Sequence, residues 1–223
     1  CSSDLLHNGV DPVSGRKVGL ETGDPRGFGN YDELYAAFMK QIRYFVDMKV
    51  RVSNYIDRMF AKYAPATFLS LFIDDCIAKG RDYYNCGPRY NTTYIQCTGL
   101  GTITDSLVTL KKHIFEDKRW SMDELLKAMA DNFEGAEAMR QTILNRTPFF
   151  GNDDEYADSI AVKVFDDLYD TIEGKPNTKG ECFHLNMLST TCHVYFGKVM
   201  GATPNGRLAG RAISDGTSPS HGA

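Results

Sequence analysis

Ser189-Thr190-Thr191-Cys192-His193 places three hydroxyls, a thiol and an imidazole in five consecutive residues. Hydroxyls can hold a polar substrate. A thiol is a nucleophile once deprotonated, and an imidazole carries a proton near neutral pH. Read as part of a strand over Phe183–Phe196, the run alternates. Met187, Ser189, Thr191 and His193 share one face; Asn186, Leu188, Thr190 and Cys192 share the other. Both faces mix polar and apolar groups. That fits a strand lining a cavity with small hydroxyls, or a sheet edge whose hydroxyls bond backbone. A lone strand histidine such as His193 is more often a satisfied structural residue than a proton carrier.

Two further groups could do chemistry. Cys86 and Cys97 flank Gly87-Pro88-Arg89-Tyr90-Asn91, with Arg89 close enough in sequence to favour a thiolate. The plainer reading is a pair of small buried residues. Arg207, in Pro204-Asn205-Gly206-Arg207, is expected to bond neighbouring backbone, with a substrate carboxylate as the less common partner. Gly99-Leu100-Gly101 reads as a packing turn beside a strand. There is no Gly-x-Ser-x-Gly elbow, His-x-x-x-His pair or phosphate loop. Residue chemistry alone therefore names no catalytic residue.

The elements that must position these groups follow from pattern. Cys1–Asn8 reads as a helix end, and Gly9–Phe28, dense in Gly and Pro, as a surface connection. Asn30 caps a helix, with Glu33 at the capping-box position. Leu34, Phe38, Ile42 and Phe45 set its apolar spacing, which continues through Ile56 to Phe60 until Pro65 stops it. Thr67–Ile77 is at least partly helical and Gly80 ends it. Asn91–Cys97 reads as a strand. Thr104–His113 reads as a helix with Asp105 near its positive end. Ser121 and Glu124 open another helix, and Ala157, Ile160, Ala161, Val164, Phe165 and Leu168 stripe a third over about Asp154–Ile172, ended at Gly174. Ala202–Gly206 is a turn. The expectation is a single α/β domain over residues 1–223.

With 223 residues, 42% hydrophobic and 24% charged, the chain can bury a sizeable core. Its net charge of −4 comes from interspersed residues, with no basic stripe for nucleic acid or membrane surface. No transmembrane run or signal peptide is legible. Cys1, Cys76, Cys86, Cys97, Cys182 and Cys192 form no Cys-x-x-Cys pair, so free thiols in a reducing cytoplasm are expected rather than a metal site. The Asn91-Thr-Thr and Asn145-Arg-Thr sequons are read as chance.

Longer motifs carry more. Asp82–Leu107 and His184–Gly222, together with Leu6-His-Asn-Gly-Val-Asp-Pro, Glu21-Thr-Gly-Asp-Pro-Arg and Gly151-Asn-Asp-Asp-Glu-Tyr-Ala-Asp, resemble the second half of the barrel of glycyl radical enzymes, the pyruvate formate-lyase superfamily. Within it the sequence is most similar to the trans-4-hydroxy-L-proline dehydratase branch. The resemblance implies a ten-stranded α/β barrel, of which this chain is the second half-barrel with its surrounding helices. It implies an anaerobic dehydratase or lyase acting on a small polar substrate of hydroxyproline or diol type. The glycyl radical would be installed by an activating enzyme that uses S-adenosylmethionine and an iron–sulfur cluster. The longer protein would be a cytoplasmic homodimer, without nucleic-acid or membrane partners. Formate acetyltransferase chemistry, or a catalytically empty binding or assembly chain, are the alternatives.

The same resemblance implies that the chain begins after the radical cysteine and stops before the radical glycine; neither motif is in the sequence. Cys1, in Cys-Ser-Ser-Asp, does not match the cysteine motif, and no residue here inherits a catalytic role. Met187–Thr191 is similar to the strand that contacts substrate in the dehydratases, so Ser189, Thr190 and Thr191 are the implied substrate-binding residues. Isethionate lyases hold sulfonate with an arginine near Phe183–Met187, and none stands there.

Overall fold

The computed structural model describes residues 5–220, so residues 1–4, including Cys1, and residues 221–223 lie outside the description. Helix dominates. In chain order the elements are a 3₁₀ turn (Pro25–Gly27), α1 (Tyr31–Tyr63), α2 (Thr67–Ser70), α3 (Asp74–Lys79), β1 (Thr93–Gln96), α4 (Leu100–Thr109) running into a π-helical turn (Leu110–Glu116), α5 (Met122–Ala130), α6 (Glu137–Arg146), α7 (Glu155–Ile172), β2 (Phe183–Asn186) and α8 (Cys192–Val199). The strands pair as a two-stranded sheet, β1 beside β2.

The described chain divides into two compact units, each discontinuous in sequence. The first holds residues up to Tyr44, Gln96–Asp167 and Met187 onward; the second holds Phe45–Ile95 and Leu168–Asn186. Two of the four boundaries fall inside α1 and α7, one inside β1 and one at the end of β2, and no Gly- or Pro-rich linker marks them in sequence.

Most starts and stops follow local chemistry. The Asn30 side chain accepts from Glu33 N at 2.9 Å, and Glu33 Oε2 accepts from Gly29 N at 2.8 Å, opening α1. Its apolar stripe is buried at Leu34 and Phe38 in the first unit; in the second, Ile56 and Phe60 are exposed. Gly80, at φ 60, closes α3 in the left-handed region. Ser121 and Glu124 form the expected reciprocal box, 2.7 Å from Ser121 N to Glu124 Oε2 and 3.2 Å from Glu124 N to Ser121 Oγ. In α7, Ala157, Ile160, Ala161, Val164 and Leu168 are buried, while Phe165 remains exposed.

Three elements differ from the sequence reading. The helix expected at Thr104 begins at Leu100, directly after Gly99 at φ +86. Asp105 therefore sits more than a turn inside α4, too deep to meet the helix dipole at its positive end. Helix α6 carries only one buried residue, Ile143, so no apolar stripe announces it. It is supported instead by local side-chain bonds, such as Gln141 Nε2 to Glu137 Oε1 at 2.7 Å. Finally, the strand expected over Phe183–Phe196 ends at Asn186, and the chain re-forms as α8 from Cys192.

The α5 box yields a direct test. Ser121→Ala should lower stability by about 1 kcal/mol, read as a shifted denaturant midpoint at unchanged slope. An unshifted midpoint would mean that the cap is redundant.

Candidate functional site

The segment between β2 and α8 is a turn. Thr190 and Thr191 both hold positive φ, 44° and 67°. Thr191 is the N-cap residue of α8. Two left-handed residues in succession end the period-2 alternation, so the shared face expected for Met187, Ser189, Thr191 and His193 does not exist. The missed signal is local: β-branched threonines usually mark strands, and no glycine stands where φ turns positive.

The three implied substrate-binding residues are placed differently. Ser189 is buried; its hydroxyl accepts from Gly216 N at 2.5 Å and shares a short hydrogen bond with Thr98 Oγ1. Thr190 and Thr191 are exposed, and Thr191 Oγ1 donates to the Thr190 carbonyl at 2.6 Å. Ser189 is thus committed inside the fold, whereas the two threonines present side chains outward. The turn passes into the helix by local bonds, from Cys192 N to Ser189 O at 2.9 Å and Val194 N to Thr191 O at 3.1 Å.

Ser189 belongs to a buried polar seam in the first unit that joins the start of α4 to residues 213–220. Thr102 and Ser214 exchange bonds, Thr102 N to Ser214 Oγ at 3.0 Å and Ser214 N to Thr102 Oγ1 at 2.8 Å. Asp105, fully buried, accepts from Phe150 N at 2.9 Å and from Ser220 Oγ at 2.7 Å. Gly101 and Gly216 let backbones meet here. A Cβ would stand 2.5 Å from the Ser218 carbonyl oxygen at Gly101, and 2.7 Å from that of Met187 at Gly216. Gly99 and Gly101 thus allow close packing as expected, but Leu100 and Gly101 open helix α4 instead of forming a turn.

The other candidates lie apart from this turn or bond neighbouring chain, and Cys86 and Cys97, expected to be buried, are half-buried. His193 lies on α8 with Nδ1 3.5 Å from Asp215 Oδ1, and its carbonyl accepts from Ile213 N. Burial pushes the Cys97 thiol up to about 11, leaving it protonated at neutral pH and a poor nucleophile. Cys86 occupies a left-handed position, φ 60. Arg207 is buried and bonds neighbouring chain: Nε to Thr203 Oγ1 at 3.2 Å, Nη1 to the Leu208 and Arg211 carbonyls, Nη2 to the Gly201 carbonyl. The guanidinium clamps the Ala202–Gly206 turn.

Asp105 makes this seam pH-sensitive. Burial raises its carboxyl from 3.8 to about 6, against the lowering effect of its two hydrogen bonds. Between those values the folded state binds the extra proton, so its contribution is complete below pH 4 and lost as pH rises through about 6. Asp105→Asn keeps the shape without the charge. From pH 4 to pH 7 the variant should gain on the natural sequence by on the order of 2–3 kcal/mol in chemical denaturation. A gap independent of pH would show that Asp105 is already ionised throughout.

Known proteins of similar sequence and shape complete the description. The family model described as pyruvate formate lyase-like matches residues 5–197. The chain is 49% identical over 217 residues to trans-4-hydroxy-L-proline dehydratase of Clostridioides difficile, covering 97% of this chain and 28% of that protein. Among solved structures, one from work on 1,2-propanediol dehydration in Roseburia inulinivorans superposes with a TM-score of 0.91 at 34% identity, over 97% of this chain and 28% of that one. The glycerol-bound form of the B12-independent glycerol dehydratase from Clostridium butyricum gives 0.91 at 32% identity, over 98% and 27%. The chain therefore spans just over a quarter of the length of each of these relatives. A match across most of its length and a shared backbone agree: the chain belongs to the pyruvate formate lyase-like family.

Proposed function

We propose that this chain is a segment of a glycyl radical dehydratase acting on a small polar substrate, a hydroxyproline or a vicinal diol. The 49% identity to a hydroxyproline dehydratase across 97% of the chain carries this reading. The likeness to proteins of propanediol and glycerol dehydration supports it and favours loss of water over the acyl cleavage of a formate acetyltransferase. In the longer protein the segment would form the second half-barrel of a ten-stranded α/β barrel. The radical would be installed by an activating enzyme using S-adenosylmethionine and an iron–sulfur cluster, in a cytoplasmic homodimer. No residue of these 223 is proposed to carry the radical.

The chain's own contribution is a wall of the substrate site, Met187–Thr191. Thr190 and Thr191 are the contact residues, since their side chains point outward. Ser189 positions them, because its hydroxyl ties the turn to Thr98 and Gly216. A threonine hydroxyl can both donate to and accept from a substrate hydroxyl or carboxylate. In a water-excluded pocket one such neutral bond contributes about 0.5–1.5 kcal/mol.

The test uses the full-length enzyme, activated anaerobically and offered trans-4-hydroxy-L-proline, 1,2-propanediol, glycerol and pyruvate. Dehydration of the hydroxyproline or a diol is expected; formate release from pyruvate alone would overturn the reading. In the active enzyme, Thr191→Val should lower kcat/KM about 3–10-fold at unchanged radical yield, the loss of one hydrogen bond. Unchanged kcat and KM would remove Thr191 from the site. The 223-residue chain by itself should show no turnover under the same conditions, because neither radical motif is in its sequence.

A further inference from the structure

In the second unit, a thiol, an imidazole and a carboxylate stand in series. Cys182 and His184 are two residues apart at β2, opposite the fully buried Phe183, so they share a face. Cys182 Sγ lies 3.5 Å from His184 Nε2. His184 Nδ1 makes a short hydrogen bond with Glu173 Oε1, from the end of α7. The Tyr94 ring, from β1, packs 5.8 Å from the imidazole centroid. Backbone bonds fix the frame: Thr93 N to Cys182 O at 3.1 Å, Phe183 N to Lys175 O at 2.7 Å and Gly174 N to Phe183 O at 3.2 Å. The side chains of His184 and Glu173 are 30% and 25% exposed, and Cys182 is half-buried, so a small reagent can reach the thiol.

The order of the three groups decides what they can do. A carboxylate only accepts, so His184 Nδ1–H donates to Glu173, which holds the ring in the tautomer whose Nε2 carries the lone pair. That lone pair faces the Cys182 thiol. A nucleophile, a base beside it and a third group orienting the base are the parts of an activated thiol. Among the other described cysteines, Cys76 is buried, Cys97 is held protonated by burial, and Cys86 and Cys192 are half-buried without a sulfur–imidazole contact like that of Cys182 among the described residues.

We propose that Cys182 is an activated thiol and a reversible modification site for low-molecular-weight disulfides. The Cys182 proton passes to His184 Nε2 and the sulfur attacks one sulfur of R–S–S–R. The S–S bond of the reagent breaks, a Cys182–S–S–R bond forms, and R–S⁻ leaves, taking the proton from His184. The Cys182 sulfur is oxidised as the leaving sulfur is reduced, so no other oxidant enters.

The probe is 2-hydroxyethyl disulfide, added to the 223-residue chain at neutral pH, with adduct formation at each cysteine followed by peptide mass spectrometry. Cys182 should react about tenfold faster than Cys86, and His184→Gln should slow Cys182 about tenfold while leaving Cys86 unchanged. Glu173→Gln, which keeps a side-chain partner for His184, should slow Cys182 about threefold. A Cys182 rate within about twofold of Cys86, or one that His184→Gln does not change, would overturn the proposal. If His184→Gln opened the fold, buried Cys76 would begin to react; Glu173→Gln then decides, and an unslowed Cys182 in that variant would also overturn it.

Discussion

The left-handed pair at Thr190 and Thr191 is the constraint on which the candidate site depends. A non-glycine residue in that region costs about 1–2 kcal/mol, and two stand side by side. Such a turn persists only when its surroundings fix it. Here the Ser189 hydroxyl bonds Gly216 N and Thr98, and the Ser189 carbonyl accepts from Cys192 N. The chain then leaves β2, reverses within a few residues and starts α8. An unbroken strand would aim alternate side chains to opposite faces. The turn instead exposes two adjacent threonines while burying the serine before them.

The seam around Ser189 has the character of a scaffold. Its members are small: Thr98, Thr102, Ser214 and Ser220, with Gly101 and Gly216 where backbones approach closely. Small hydroxyls satisfy buried backbone groups without adding volume, which lets loops lie against the start of α4. Asp105 is the one carboxyl of the seam, held by two bonds but raised by burial. Arg207 does for the turn at residues 202–206 what Ser189 does for the turn before α8: a buried polar group spends its donors on neighbouring chain. Polar residues that look chemical in sequence here hold backbone in place.

Legibility in sequence followed the range of the interactions. The N-cap at Asn30 and the capping box at Ser121 are local and were readable, as were the glycine stop at Gly80 and the stripe of α7. Helix α6 was not, because a helix with one buried side chain leaves no periodic mark. The turn after β2 was not, because the bonds that hold it join residues far apart in sequence: Ser189 is tied to Thr98 and Gly216. The division into two units was hidden as well, since two of its boundaries cut through continuous helices. The segment Met187–Thr191 enters the candidate site through the family resemblance alone. The separate placements of Ser189, Thr190 and Thr191 required the fold.

A crystal structure of the full-length enzyme with trans-4-hydroxy-L-proline bound tests the central claim most directly. The Thr190 or Thr191 hydroxyl is expected within hydrogen-bond distance of a polar substrate atom, with Ser189 still bonded to Thr98 and Gly216. A substrate bound elsewhere, with no atom of Met187–Thr191 touching it, would contradict the account.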